Sequence, residues 1–214
     1  MKTIYTLISK LKGAIRLNLL YKESSRKHYY ASIVDRVNLN QVLQLIRVKT
    51  ESVFNTDATI LFKNLDLNSG IYEFVKKLGT PKYKSTTVYT NSRHNTYMYK
   101  DNFYGHKAKA VIHALDSKVL TCAYHFEIIN PEQLRQIKLA FFAKYNLVNN
   151  NLDEFLVIDK NGNKLLYKHQ FDLVLTYINT NPEIEKSVVD VFEKEHQLKE
   201  IRYQKAFKKL EMAL

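Results

Sequence analysis

A two-residue periodicity runs through residues 82–129, a stretch rich in Thr, Tyr, Val and His. Successive side chains of a β-strand point to opposite faces of the sheet, so this period is typical of strands with one buried face. Thr, Tyr and Val also fit a pleated sheet well, and the stretch is long enough for three or four strands. We therefore predict an antiparallel β-meander over about residues 82–129.

The turn near Asp116 can be placed by asking which strand register buries one apolar face. The first strand offers Ala108, Ala110, Ile112 and Ala114, and the second offers Leu120, Cys122, Tyr124, Phe126 and Ile128. A two-residue turn would set these groups on opposite faces, whereas a three-residue loop ending at Lys118 sets them together. We expect the three-residue loop, with Lys109 opposite His125 and Lys107 opposite Glu127 on the other face.

Two helices are predicted to pack on this meander. The first starts after Asn68 and Ser69 and ends at Gly79, because Pro81 cannot continue it. The second opens at Asn130 and Pro131, where proline suits the first helical position. Their expected buried residues are Ile71, Phe74, Val75 and Leu78 in the first helix, and Leu134, Ile137, Leu139, Phe141 and Phe142 in the second.

The rest of the chain contains further strand and helix patterns. We expect a strand at Ala58–Lys63, a hairpin of Phe155–Ile158 and Lys164–Tyr167 around Asn161-Gly162, and a helix from His169 to about Ile178. A strongly charged helix should follow Asn181-Pro182. Near the start, residues 3–21 and a stretch from about Ser25 have helical periodicity, and residues 42–48 continue as a helix or a strand after Asn38 and Asn40.

These segments predict an α+β fold, in which helices pack the meander and helical extensions lie at both ends. We expect a helical N-terminal extension over residues 1–50, an α+β core over residues 51–180 and a charged C-terminal helix over residues 181–214. Together they would form one domain overall.

The positive charge is concentrated in the first 150 residues. The net charge is +12, and residues 1–50, 51–150 and 151–214 contribute +8, +5 and −1. Such an asymmetry favours a polyanionic partner, either nucleic acid or an anionic membrane surface. The alternative is that the lysines serve solubility alone.

The stretch 76–118 interleaves basic and aromatic residues. Cations that follow phosphates and rings that stack on bases are how single-stranded nucleic acid is often bound, so we favour that partner. The candidate polyanion-binding residues are Lys82, Lys84, Arg93, Lys100, Lys107, Lys109, Tyr97 and Tyr99. The alternative is that the tyrosines only fill a half-exposed sheet.

The terminal helices suggest other partners. The N-terminal helix has an apolar stripe and carries Lys2, Lys10, Lys12, Arg16 and Lys22 with no acidic residue before position 23, as helices on anionic lipid do. Such a stripe also packs against a protein, either the core of its own domain or another subunit. A peripheral membrane protein, a protein-interaction module and a homo-oligomer formed through the terminal helices are therefore alternatives.

Catalysis is the third class of function. His113, His125 and Lys109 are the candidate acid and base groups of a small metal-independent hydrolase or nuclease. The chain has no HExxH, paired Cys or His-x-His pattern, so we predict no metal site, and no glycine-rich phosphate loop indicates a cofactor. The single cysteine, Cys122, is expected to be a buried thiol, and its isolation fits a cytoplasmic location.

Overall fold

The computed structural model describes residues 37–127, 129–148 and 151–211. The chain separates into a unit of residues 1–37 and a unit of residues 38–214, and every element below lies in the second unit. The helices predicted over residues 3–21 and from Ser25 lie outside the described residues. The division into extension, core and terminal helix stays a prediction.

Four helices are described, and local sequence signals explain where they begin and end. They are α1 (Leu39–Ile46), α2 (Ile71–Leu78), α3 (Pro131–Tyr145) and α4 (Pro182–Glu211). The side chains of Asn38 and Asn130 accept hydrogen bonds from backbone N–H groups in the first turns of α1 and α3, which satisfies donors that a helix start leaves free. Gly79 ends α2 with a φ of 76°, a backbone conformation that favours glycine.

In the described residues, eight strands form one sheet. The pair at one edge, β1 with β6, is parallel, and the other pairs are antiparallel. The order across the sheet is β1, β6, β7, β8, β5, β4, β3, β2. The strands are β1 (Val53–Thr56), β2 (Tyr83–Val88), β3 (Arg93–Phe103), β4 (His106–Leu115), β5 (Lys118–Phe126), β6 (Glu154–Asp159), β7 (Lys164–His169) and β8 (Leu173–Ile178). The predicted α+β fold with a meander over residues 82–129 is confirmed.

One face of the sheet, called the aromatic face below, carries most of the core. Its inward side chains include Tyr97, Tyr99, Phe103, Tyr124, Phe126, Phe155, Tyr167 and Tyr177. Helix α3 packs on it through Phe141, whose ring centroid lies 5.9 Å from that of Phe155. Helix α2 reaches it through Phe74, which stacks on Phe62 at 6.3 Å. Edge-to-face and offset ring pairs of this kind add to the burial of apolar area.

The opposite face of the sheet is packed by α1 and α4. Helix α1 contacts both α4 and β5. The ammonium group of Lys164, on β7, donates to the carbonyl oxygen of Ile46 at 3.3 Å and helps to satisfy the end of α1. Val188 and Val191, in the first half of α4, are buried. Among the described helices, none is long and apolar enough to cross a membrane.

The β4–β5 pair has the predicted register but not the predicted loop. Lys109 lies opposite His125, as expected, yet the turn contains only Asp116 and Ser117, with Leu115 paired to Lys118. The register shifts between His113 and Ala114, so the two apolar groups still share one face. A β-bulge thus supplies the extra residue that was assigned to the loop.

Three other predictions were wrong. Residues 58–63 form no strand: Phe62 and Leu65 bond to each other around Lys63 and Asn64, which both have positive φ. Leu139 is 43% exposed on α3. The helix from His169 to Ile178 is instead strand β8, which lies in the sheet between β5 and β7. A strand buried on both faces is apolar throughout, so its sequence lacks the two-residue period.

Candidate functional site

The end of the sheet opposite the Asp116 turn forms a cleft of about 640 Å³. Strands β3, β4 and β5 supply the described residues that line it, and it is called the lysine cleft below. They are Lys100, Asp101, Asn102, Lys107, Ala108, Lys109, His125 and Glu127. Three of the predicted polyanion-binding residues therefore share one concave site with one of the candidate catalytic histidines.

A row of cationic and basic side chains crosses the three strands at this end. Lys100 is the direct partner of Lys109 on β4, and Lys109 is the direct partner of His125 on β5. Like charges directly opposite each other destabilise a sheet. Glu127 offsets part of this repulsion, because its carboxylate contacts the Lys109 ammonium group.

Both carboxylates of the lysine cleft already have a lysine partner. Glu127 contacts Lys109, and Oδ1 of Asp101 accepts a hydrogen bond of 2.6 Å from Lys63. Lys100 and Lys107 are exposed, and neither forms an ion pair with any described residue. The cleft thus keeps two uncompensated positive charges at its rim.

His125 is a neutral group at this site. Burial lowers the pKa of His125, and the charge of Lys109 lowers it further, while Asp172 and Glu127 act in the opposite direction. A free histidine has a pKa of about 6.5. At any pH near or below that value, the His125 ring therefore takes up a proton less readily than a free histidine does. A neutral imidazole beside two lysines can accept a hydrogen bond or a proton from a bound molecule.

The other predicted binding residues lie elsewhere. Tyr97 and Tyr99 are 8% and 3% exposed in the core of the aromatic face, so their ring faces do not form part of the lysine cleft. Lys84 packs its ammonium group over the Tyr97 ring at 5.2 Å, at the sheet edge. Lys82 and Arg93 are exposed but do not line the cleft.

His113, the other candidate histidine, does not line the lysine cleft. It is 4% exposed, and its Nδ1 lies 3.2 Å from both Nε2 of His94 and Oγ1 of Thr96. Burial lowers the pKa of His113 to about 3 and that of His94 to about 4. The pair is therefore a neutral, hydrogen-bonded part of the interior and does not line the lysine cleft.

The buried histidine pair predicts a loss of stability in mild acid. The folded pKa of each ring lies below the unfolded value of about 6.5, so the unfolded chain binds more protons between these values. Stability is therefore full above about pH 6.5 and falls as the pH decreases. We expect the free energy of unfolding to drop by about 2 kcal/mol for each ring between pH 7 and pH 5, and His125 adds to the drop in the same direction.

Urea unfolding at pH 7, 6 and 5 measures this dependence. His94→Gln should remove about 2 kcal/mol of it, whereas His196→Gln, at an exposed position of α4, should leave it unchanged. Equal stability of the unmodified protein at pH 7 and pH 5 would contradict the assignment of two neutral buried rings.

Other chemistry has little support in the described residues. Nowhere in residues 37–127, 129–148 and 151–211 do three His, Cys, Asp or Glu side chains come together in a group that could hold a metal ion. Cys122 is a free, buried thiol, and burial raises its pKa well above the ordinary value, so it is a poor nucleophile. Comparisons with protein-family models, with curated proteins and with solved structures found no match for this chain.

Proposed function

We propose that the protein binds a polyanion through the lysine cleft, and that the polyanion is single-stranded nucleic acid. The observation that carries this proposal is the cross-strand placement of Lys100 and Lys109, with Lys107 beside them; Lys100 and Lys107 are exposed, and neither forms an ion pair with any described residue. A sheet gains nothing from such a row by itself. Phosphate groups would supply the missing negative charge and release counterions as they bind.

The shape of the site favours a flexible strand over other polyanions. Because the lysines lie in a cleft, a partner has to be flexible enough to bring its charged groups into a concave surface. A duplex stays stiff over roughly 150 base pairs, and a flat lipid surface cannot enter a cleft, whereas a single strand follows such a path easily. The membrane alternative depends on the helix predicted over residues 3–21, which lie outside the described residues.

Competition tests which polyanion the cleft prefers. A labelled single-stranded 20-mer is bound first, and an unlabelled single strand, a duplex of the same length or phosphatidylserine vesicles are then added. We expect the unlabelled strand to displace the label at least about tenfold more effectively than the duplex, and the vesicles to displace none. Displacement by the vesicles, or equal displacement by the duplex, would overturn the choice of partner.

A metal-independent nuclease is the second candidate, because the structure places neutral His125 directly opposite Lys109 inside the same cleft. A neutral imidazole can act as a general base, and a lysine can stabilise negative charge on phosphorus. Incubation of the labelled strand with the protein and a chelator, followed by a denaturing gel, separates the two functions. Cleavage that is lost in His125→Ala would favour the nuclease, and an intact strand would favour binding.

Two further parts of the proposal concern location and assembly. We propose a cytoplasmic protein, because a single buried thiol is typical of a reducing compartment.

A homo-oligomer through the terminal helices is also proposed, because α4 exposes Ile201, Tyr203 and Phe207 beyond the part that packs on the sheet. Light scattering that gives only the monomer mass would remove this assembly from the proposal.

A further inference from the structure

A second cleft, of about 310 Å³, lies on the aromatic face close to the β3–β4 turn. It is called the tyrosine cleft below, and its main lining residues are Lys63, Lys77, Tyr104, Tyr124, Lys144 and Tyr177. The residues come from the loop before α2, from α2 and α3, and from strands β5 and β8. The volume is at the lower end of the range for small-molecule sites, so the cleft suits one small ligand.

The cations of the tyrosine cleft point to an anionic ligand. Burial lowers the pKa of Lys144, and none of the described carboxylates contributes to that shift or pairs with it. Lys77 is exposed in the last turn of α2. Lys63 is bound to Oδ1 of Asp101, a residue of the lysine cleft, whereas Lys77 and Lys144 form no ion pair with any described residue. A partly buried ammonium group without a counter-ion is stabilised when an anion arrives.

Two tight turns of the backbone border this cleft. Lys63, Asn64 and Tyr104 have φ values of 54°, 58° and 47°, and all three line the cleft. Lys63 and Asn64 are the central pair of the Phe62–Leu65 turn, and Tyr104 with Gly105 is the central pair of the β3–β4 turn, positions at which a two-residue turn requires positive φ. The two turns fix the places of Lys63 and Tyr104 at the cleft.

The aromatic side chains give the cleft a rim and a floor. The Tyr104 side chain is 58% exposed at the turn, and its ring forms a T-shaped pair with that of Phe103 at 4.8 Å between centroids. Tyr124 and Tyr177 are 3% and 1% exposed beneath it. Burial raises the pKa of both hydroxyls, and hydrogen bonds of Tyr124 to Asp101 and of Tyr177 to Tyr145 raise the two pKa values further, so both hydroxyls stay protonated with their protons already engaged. The cleft therefore joins an exposed ring for stacking to a buried aromatic floor and to cations.

We propose that the tyrosine cleft binds one nucleotide, whose phosphate group contacts Lys63, Lys77 and Lys144 while its base stacks on Tyr104. The nucleotide is either a free nucleoside monophosphate or the phosphorylated end of a strand, since both present the same phosphate and base. The site does not depend on the lysine cleft: it lies on the other face of the sheet, and among the described lining residues only Asn102 belongs to both clefts.

Calorimetric titration with AMP tests the proposal, with inorganic phosphate and adenosine as partial ligands. We expect one AMP per chain and at least about tenfold weaker binding of phosphate or adenosine alone, because each lacks half of the contacts. Lys144→Met should weaken AMP binding at least about tenfold. Tyr104→Ala should weaken AMP but leave phosphate binding unchanged.

Lys138→Met is the matched control for Lys144→Met. Lys138 lies on the same helix, burial also lowers its pKa, and its ammonium group packs over the rings of Phe142 and Tyr167, but it does not line the cleft. We expect this variant to bind AMP like the unmodified protein, and circular dichroism will show whether both variants are folded. Lys100→Glu should also leave AMP binding unchanged, which separates this site from the lysine cleft.

The two sources of the nucleotide are distinguished by competition against AMP. A 5′-phosphorylated octanucleotide that displaces AMP, when its 5′-hydroxyl counterpart does not, identifies the strand end; failure of both to displace AMP identifies the free nucleotide. The proposal is overturned if AMP does not bind at millimolar concentration, if inorganic phosphate binds as tightly as AMP, or if folded Lys144→Met binds AMP as tightly as Lys138→Met.

Discussion

Replacing Lys100 and Lys107 together with glutamate is expected to weaken binding of a labelled single-stranded oligonucleotide at least about a hundredfold at low salt. Each change removes an attraction to phosphate and adds a repulsion. Both side chains are exposed at the rim of the lysine cleft, and neither forms an ion pair with a described residue, so the fold should be unaffected. Fluorescence anisotropy of the labelled strand measures the effect.

The control for this double variant changes the net charge equally at a distance from the cleft. Lys160 and Lys186 are exposed, in the β6–β7 turn and in α4, and do not line the lysine cleft. Lys160→Glu with Lys186→Glu should weaken binding only a few-fold, through the lower overall charge. If both double variants weaken binding alike, the attraction is a general charge effect and the cleft is not the site.

Phe62→Ala is expected to lower the free energy of unfolding by about 3–5 kcal/mol, the usual cost of emptying a large aromatic site in a core. Phe62 is fully buried although it lies in an irregular loop. Its ring stacks on Tyr124 at 4.8 Å, meets Tyr177 at 5.2 Å and touches Phe74 of α2. The substitution removes three ring contacts that help to join the loop and α2 to the sheet. Urea unfolding monitored by circular dichroism measures the loss.

Phe171→Ala is the matched control, because the Phe171 side chain is fully exposed between β7 and β8. A surface change of this kind usually alters the free energy of unfolding by no more than about 0.5 kcal/mol. A loss below about 1 kcal/mol for Phe62→Ala would show that the loop does not pack on the sheet as described.

Sequence periodicity predicted the centre of this fold better than its details. Burial of one apolar face determined the β4–β5 register, because a slip by one residue would turn every side chain to the other face. Periodicity could not distinguish a three-residue loop from a two-residue turn with a bulge, since both give Lys109 opposite His125. Strand β8 was missed because central burial removes the alternation that marks a strand.

The candidate site was only partly predictable, for a related reason. The sequence identified a basic stretch, but neighbouring residues of one strand point to different faces, so Tyr99 enters the core while Lys100 lines the lysine cleft. The tyrosine cleft joins Lys63, Tyr104 and Lys144, which are far apart in the sequence and are brought together only by the fold.

The salt dependence of single-strand binding tests the central claim, that phosphate groups bind in the lysine cleft. Anisotropy titrations between low and physiological salt give the slope of log K against log of the salt concentration, which is about −0.7 for each phosphate contacted on a single strand. We predict a slope of about −2 for the unmodified protein. For Lys100→Glu with Lys107→Glu we predict either a slope of about −0.7 or no binding. No binding by the unmodified protein at low salt, or the same slope in the variant, would contradict it.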